Sequence, residues 1–282
     1  MEKARTLFVV PRNSGCNADC SFCITKNNYE NKNWRIEEGE IDLNRLERAI
    51  KFAQSFGVID SKIIGGTEPT LIKPEKLSKI IETVSNYFGQ VTMYSNGKNI
   101  FSSKNIQSLD KFAKAGLTNL IISRAHYDSR INSELMGMKE YDFEKTISKI
   151  IEKDIDIQLS CVLSKEGIGE KMGLMKYLDH AKKLNIEKVI FRELFYTDGE
   201  TTSGKWINEN YVSAGIIEEF MKARKIPHSC GIWDQKIWNY NGIAVTIRPD
   251  PSRSDKKYDI DLIYMPDNHL YSSWTTKTSR IM

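Results

Sequence analysis

The sequence predicts an α/β fold in which six strand–helix units are followed by a β-rich tail. Three observations carry this. Short runs of β-branched and apolar residues recur along the chain, and between them lie segments whose apolar residues fall at helical spacing. Each strand-like run ends in a polar, glycine-bearing or charged stretch, as strands feeding the open end of a parallel sheet do. The length, 282 residues, suits one sizeable α/β domain.

Taken in order, residues 6–10 (Thr6-Leu7-Phe8-Val9-Val10) are continuously apolar or β-branched, the pattern of a strand buried on both faces. They lead to Pro11, Gly15 and a loop containing Cys16, Cys20 and Cys23. Asp42 then caps a helix whose Leu43, Leu46, Ile50 and Ala53 share one face, closing near Gly57. A second strand, residues 61–64, ends in Gly65-Gly66-Thr67-Glu68-Pro69-Thr70. A helix over about 74–88 uses Leu77, Ile80, Ile81 and Val84, and a strand at 91–94 ends in the turn tripeptide Ser95-Asn96-Gly97.

The third helix carries Ile106, Leu109, Phe112 and Ala113 and leads to strand four, residues 119–123, which ends in Ser123 with His126 just beyond. Helix four has Phe143, Ile147, Ile150 and Ile151. In strand five, residues 157–163, Gln158 and Ser160 share one face and Leu159 and Cys161 the other; the polar pair should point inward and Cys161 should pack against helices. Helix five has Leu174, Leu178 and Ala181. Strand six, residues 189–194, includes Arg192 and Glu193, charges that need a partner or a ligand and so count as site candidates beside the alternative of a salt bridge. The last helix contains Val212, Ile216 and Phe220.

Beyond about Arg224 the pattern changes to short β-like runs at 243–247, 260–264 and 269–271, with Pro266-Asp267-Asn268 as a hairpin turn. This divides the chain into residues 1–223 and a β-rich extension, 224–282. Its aromatics, Trp233, Trp238, Tyr240, Tyr264, Tyr271 and Trp274, either pack the tail or form a stacking wall for substrate. Cys230 opens the tail; it is an inert thiol or a donor of a hydrogen atom.

The charge balance, 41 Lys and Arg against 37 Asp and Glu, is nearly even and interspersed, which gives no support to a nucleic-acid surface. No apolar stretch approaches membrane-spanning length and the first residues lack a signal-peptide pattern, so a cytoplasmic location is expected, with reduced thiols. Three thiols in the spacing C-x3-C-x2-C select a soft metal or an iron–sulfur cluster, and in a four-iron cubane three protein ligands leave one iron open. A zinc-binding protein without catalytic activity is the alternative, though structural zinc ordinarily takes four ligands and no second Cys or His pair follows at such spacing.

The cysteine spacing with Phe22 before the last Cys, together with Gly65-Gly66-Thr67-Glu68-Pro69 after the second strand, resembles the radical S-adenosylmethionine (radical SAM) superfamily. Ser123 at the end of strand four and the later Met136-Gly137 pair resemble its molybdenum-cofactor-biosynthesis branch, with Arg124-Ala125 departing from the usual residues. The resemblance implies a partial (β/α)6 TIM-like barrel with reactive groups at the strands' C-terminal ends, and an extension, 224–282, that closes the barrel and lines the substrate pocket. It implies a [4Fe–4S] cluster on Cys16, Cys20 and Cys23, whose open iron is chelated by SAM. One electron, from a donor such as flavodoxin or ferredoxin, would cleave SAM to methionine and a 5′-deoxyadenosyl radical that abstracts hydrogen from a small polar metabolite or, alternatively, a peptide. Phe22, Gly65, Gly66, Thr67, Glu68, Ser95, Asn96, Ser123 and Gln158 are the expected SAM-binding residues, and His126, Arg192, Glu193 and Cys230 the candidates for catalysis. With only Cys161 and Cys230 left over, a single cluster is expected.

Overall fold

Six parallel strands form where the apolar runs were read: β1 (Thr6–Val9), β2 (Asp60–Ile63), β3 (Val91–Ser95), β4 (Asn119–Ser123), β5 (Asp156–Val162) and β6 (Lys188–Arg192). The computed structural model describes residues 5–30, 37, 39–100, 106–153, 155–231, 236–250, 261–274 and 277–282. Neighbouring strands are consecutive in sequence, as right-handed β–α–β crossovers make them.

The helices that return the chain are amphipathic and cover one face of the sheet. α2 (Leu43–Ser55) begins where expected, with the Asp42 carboxylate accepting from Asn44 N and Arg45 N, and buries Leu46, Ala49, Ile50 and Ala53. α3 (Pro74–Ser85), α4 (Ile106–Lys114), α6 (Phe143–Ile151), α7 (Lys171–Lys183) and α9 (Gly215–Ala223) follow, and the buried apolar residues of α3, α6, α7 and α9 meet Leu7, Ile63, Met93, Leu120, Leu159 and Phe191 in one continuous core. Cys161 belongs to that core, fully buried, its thiol donating to Ala125 O at 3.6 Å.

Three short helices had no strong apolar period in sequence: α1 (Ile24–Glu30), α5 (Ser129–Leu135) and α8 (Thr202–Glu209). All three lie beyond the C-terminal ends of strands, and Asp128 and Thr201 cap the last two. Their role is to hold the site rather than the core.

The extension does not close the sheet. β7 (His228–Cys230), β8 (Lys236–Tyr240) and β9 (Ile243–Arg248) continue it beyond β6, with β9 parallel to β6, while β10 (Leu262–Tyr264) and β11 (Leu270–Tyr271) continue it beyond β1. The result is an open eleven-stranded sheet with β11 and β7 at its edges. The β10–β11 hairpin turns at Asn268, in left-handed conformation at φ 63°. The same Asn268 ties the tail to the start of α2: its Oδ1 accepts from Asp42 N at 2.7 Å and its Nδ2 donates to Glu40 O at 2.9 Å. Of the expectations for the tail, Trp233 and Ile260 lie outside the described residues.

Candidate active site

The cysteine loop runs from β1 to α1 and is docked on the C-terminal end of α5. Asp19 N donates to Met136 O at 3.1 Å and Ser21 N to Leu135 O at 3.1 Å, so carbonyls left unpaired by the helix end are used to fix the loop. Gly137 permits this approach: its φ is +54°, and a Cβ there would stand 2.4 Å from Asp19 O. Phe22 and Cys20 sit against an apolar patch of Ala125, Leu135, Met136 and Met138, with the Trp206 ring 6.3 Å from that of Phe22. α1 is pinned in turn to α8, where Thr201 Oγ1 donates to the buried Asn27 Oδ1 at 2.5 Å.

Polar groups reach the sulfurs themselves. Lys26 N donates to Cys23 Sγ at 3.4 Å, and Lys26 Nζ pairs with Asp19 at 2.6 Å. Asn96 Nδ2 donates to Asn17 Oδ1 at 2.7 Å and lies 3.9 Å from Cys16 Sγ, while Lys98 Nζ donates to Asn17 O at 3.1 Å. Burial raises the pKa of all three thiols, with the neighbouring thiols adding to the rise at Cys16 and Cys20. Such thiols lose their protons readily only to a metal, whose charge reverses the balance.

The three thiols line one wall of a cleft of about 560 Å³. Residues 65–68 face them, and Ser95, Asn96 and Ser123 complete the rim. Glu68 is buried and already accepts from the protein: Thr70 N at 3.1 Å, Ser95 Oγ at 2.8 Å and Asn96 N at 2.7 Å, together with the Thr70 hydroxyl. It locks the turn after β2 to the turn after β3. Burial raises its pKa, opposed by these donors. The glycines before it are required first by the turn, since a Cβ at Gly66 would fall 1.8 Å from Asn13 Oδ1. By contrast, the Thr67 hydroxyl is buried at the cleft with no hydrogen-bond partner among the described residues.

Among the described residues no three Cys, His, Asp or Glu side chains converge closely enough to hold a single metal ion. A cubane takes its thiolates on different irons and so needs them spread. The soft donor set, the adjoining cleft and the orphaned hydroxyl therefore fit an iron–sulfur cluster with a polar ligand beside it.

Other candidates are distributed differently. Arg192 points to the concave face, its Nε donating to Ser160 Oγ at 3.0 Å and its Nη2 to the phenol of Tyr94, a cleft residue, at 2.7 Å. Glu193, one residue on, faces the other way, as alternation requires. Its carboxylate accepts from Ala214 N at 2.6 Å and Asp250 N at 2.8 Å, so it fixes the start of α9 and does not reach the cleft. The buried His126 braces the loop after β4, with Nδ1 accepting from Asp128 N at 3.0 Å and the Tyr127 ring 4.2 Å away; burial lowers its pKa. Cys230 is exposed on the edge strand β7, away from the cleft lining. Gln158 lies on the concave face with Ser160, outside that lining.

Sequence reasoning missed Tyr94, Asn17 and the contact role of Gly137. For Tyr94 a signal existed, a polar aromatic near the C-terminal end of an apolar run. Asn17 shows its role only once β3 brings Asn96 beside it.

The family model for the radical SAM superfamily matches residues 10–170, more than half of the chain. The chain belongs to the radical SAM superfamily. No curated protein matches it in sequence. Among solved structures, SuiB of Streptococcus suis bound to its precursor peptide SuiA superposes with TM-score 0.63 at 15% identity, over 97% of this chain and 60% of that one. HydG, a maturase of the [FeFe]-hydrogenase, gives 0.57 at 14% identity over 79% and 50%, and a radical SAM methyltransferase of Sphaerobacter thermophilus gives 0.56 at 17% over 85% and 65%. The radical SAM chain thus spans about three-fifths of SuiB, and at these identities the likeness is one of fold. The radical SAM superfamily uses a [4Fe–4S] cluster and SAM. The expected fold holds as an open α/β sheet resembling the partial barrels of these enzymes. No helix among the described residues is long and apolar enough to cross a membrane.

The concave face also holds a titrating carboxyl. Burial raises the pKa of Asp261 to about 6, against the charges of Lys62 and Arg248. A folded-state value above the ordinary one means that its stabilising share is full below about pH 4 and is lost as pH rises through about 6. Asp261→Asn should therefore raise the thermal midpoint at pH 8 by the equivalent of about 3 kcal/mol and leave it nearly unchanged at pH 4. Thermal denaturation across that range checks it.

Proposed function

We propose that the chain uses Cys16, Cys20 and Cys23 to hold a single [4Fe–4S] cluster and the adjoining cleft to hold SAM, and that it abstracts hydrogen from a small polar substrate on the concave face. When bound, cluster and SAM supply a 5′-deoxyadenosyl radical; the protein's own work is to orient and to exclude water. Phe22 and the end of α5 fix the loop, Asn96 and Lys26 donate toward the sulfurs, and the Thr67 hydroxyl and Ser123 offer polar groups to SAM. Gly65, Gly66, Glu68 and Ser95 shape that cleft. The observation that carries the reading is the meeting of three soft thiols and the Gly-Gly-Thr-Glu turn across one cleft.

Ser123 and the Met136-Gly137 pair support placement near the molybdenum-cofactor-biosynthesis branch. Residues 1–223 would be the catalytic unit and 224–282 the part that shapes the substrate side. A flavodoxin or ferredoxin would supply the electron, in the cytoplasm. Two exposed aromatics after β6, Phe195 and Tyr196, favour a second reading in which the substrate is a peptide.

Deuterium tracing separates the readings. The reconstituted enzyme, incubated with SAM and either deuterated small polar metabolites or deuterated peptides, should transfer deuterium to 5′-deoxyadenosine from the metabolite set. Transfer from peptides alone would establish the second reading, and SAM that is never cleaved would overturn both.

A further inference from the structure

The concave face carries positive charge that the cluster loop and the SAM cleft do not use. β6 and β9 pair in parallel with Arg192 directly beside Arg248. Val189, Phe191, Val245 and Ile247 on those strands belong to or pack against the helix-side core, so alternation sends both arginines to the concave face. Adjacent strands are only about 4.8 Å apart, and like charges side by side on a sheet repel.

Nothing in the described fold neutralises the pair by contact. Arg192 donates to two neutral oxygens, those of Ser160 and Tyr94, which leaves three of the five guanidinium N–H groups for other acceptors. Neither arginine forms an ion pair with a carboxylate among the described residues. The carboxylates within electrostatic reach of Arg248, Asp60 and Asp261, are engaged elsewhere: Asp60 pairs with Lys62 at 2.6 Å, and Asp261 takes a hydrogen bond from Trp274. Arg248 is solvent-exposed, so a solute can reach it. Tyr94, bonded to Arg192, also lines the cleft, so whatever the arginines hold is next to the place where the radical would form.

We propose that Arg192 and Arg248 form a subsite for an anionic group of the substrate, a carboxylate or a phosphate, gripped by the two guanidinium forks. This deepens the proposed function and rests on it for the reaction, but not for the binding of the anion. The test is calorimetric titration of the full chain with sodium phosphate and, separately, sodium malonate at constant ionic strength. It is run before and after reconstitution with iron, sulfide and SAM. Saturable binding of one anion per chain is expected, weakened about tenfold or more by Arg248→Met. Tighter binding of phosphate or of malonate tells which anion the subsite was built for. Should the methionine variant not fold, Arg248→Lys, which keeps charge but loses the fork, is expected to weaken binding about threefold. No saturable heat beyond that of chloride, or equal affinity in the variants, would overturn the subsite. Titration before reconstitution needs no cluster, so a failure of SAM cleavage would count against the proposed function and not against this inference.

Discussion

Replacing Cys16, Cys20 or Cys23 with alanine, one at a time, should leave a folded chain that assembles no stable cluster and cleaves SAM at the background rate. Each thiolate ligates one iron of a cubane, and a site with two protein ligands loses both the geometry and the charge that hold the remainder. The loop itself is fixed by other contacts: Asp19 N and Ser21 N on the end of α5, and Phe22 in its apolar patch. The fold should therefore survive each substitution, with a thermal midpoint within a few degrees, on the order of 1 kcal/mol, of the parent measured without cluster. Iron content, visible absorbance and 5′-deoxyadenosine formation are the readouts. A variant that keeps full iron content would remove that cysteine from the ligand set.

Gly137→Val should produce nearly the same loss of cluster from a residue that touches no metal. Two costs combine there. A β-branched residue in left-handed conformation costs about 1–2 kcal/mol, and the new side chain must displace the Asp19 carbonyl, a backbone atom that cannot swing aside. Gly57 provides the comparison, because its φ is +84° and a Cβ there meets nothing within 4 Å. Gly57→Ala should cost about 1 kcal/mol and leave iron content intact, whereas Gly137→Val should cost about 3 kcal/mol or more and unseat the loop. Equal iron content in the two variants would show that docking on α5 does not position the cysteines.

Much of this was legible in the sequence because parallel strands buried on both faces leave a strong mark. The runs at 6–10, 91–94 and 119–123 coincide with β1, β3 and β4, and Asp42 caps its helix as its position before Leu43 implies. The cysteine spacing and the Gly-Gly-Thr-Glu turn were legible for a different reason: both are local, and chemistry fixes their residue types. What was not legible depends on partners distant in sequence. Glu193 reads as a stray charge in a strand until Ala214 and Asp250 arrive to use it. Cys230 stands at the start of a tail expected to close the sheet, but the tail adds strands to both edges and leaves that thiol exposed. Pairing of edges is set by tertiary contacts such as Asn268 with Asp42, which no periodicity records.

The most direct test of the central claim is an anaerobic one: the chain is reconstituted with iron and sulfide, its metal counted, and the reduced cluster examined by electron paramagnetic resonance with and without SAM. About four irons per chain and a cluster signal that changes on addition of SAM are predicted, since only a cubane with one iron free of protein ligands can respond in that way. A colourless protein containing about one zinc per chain, or a cluster whose spectrum ignores SAM, would contradict it.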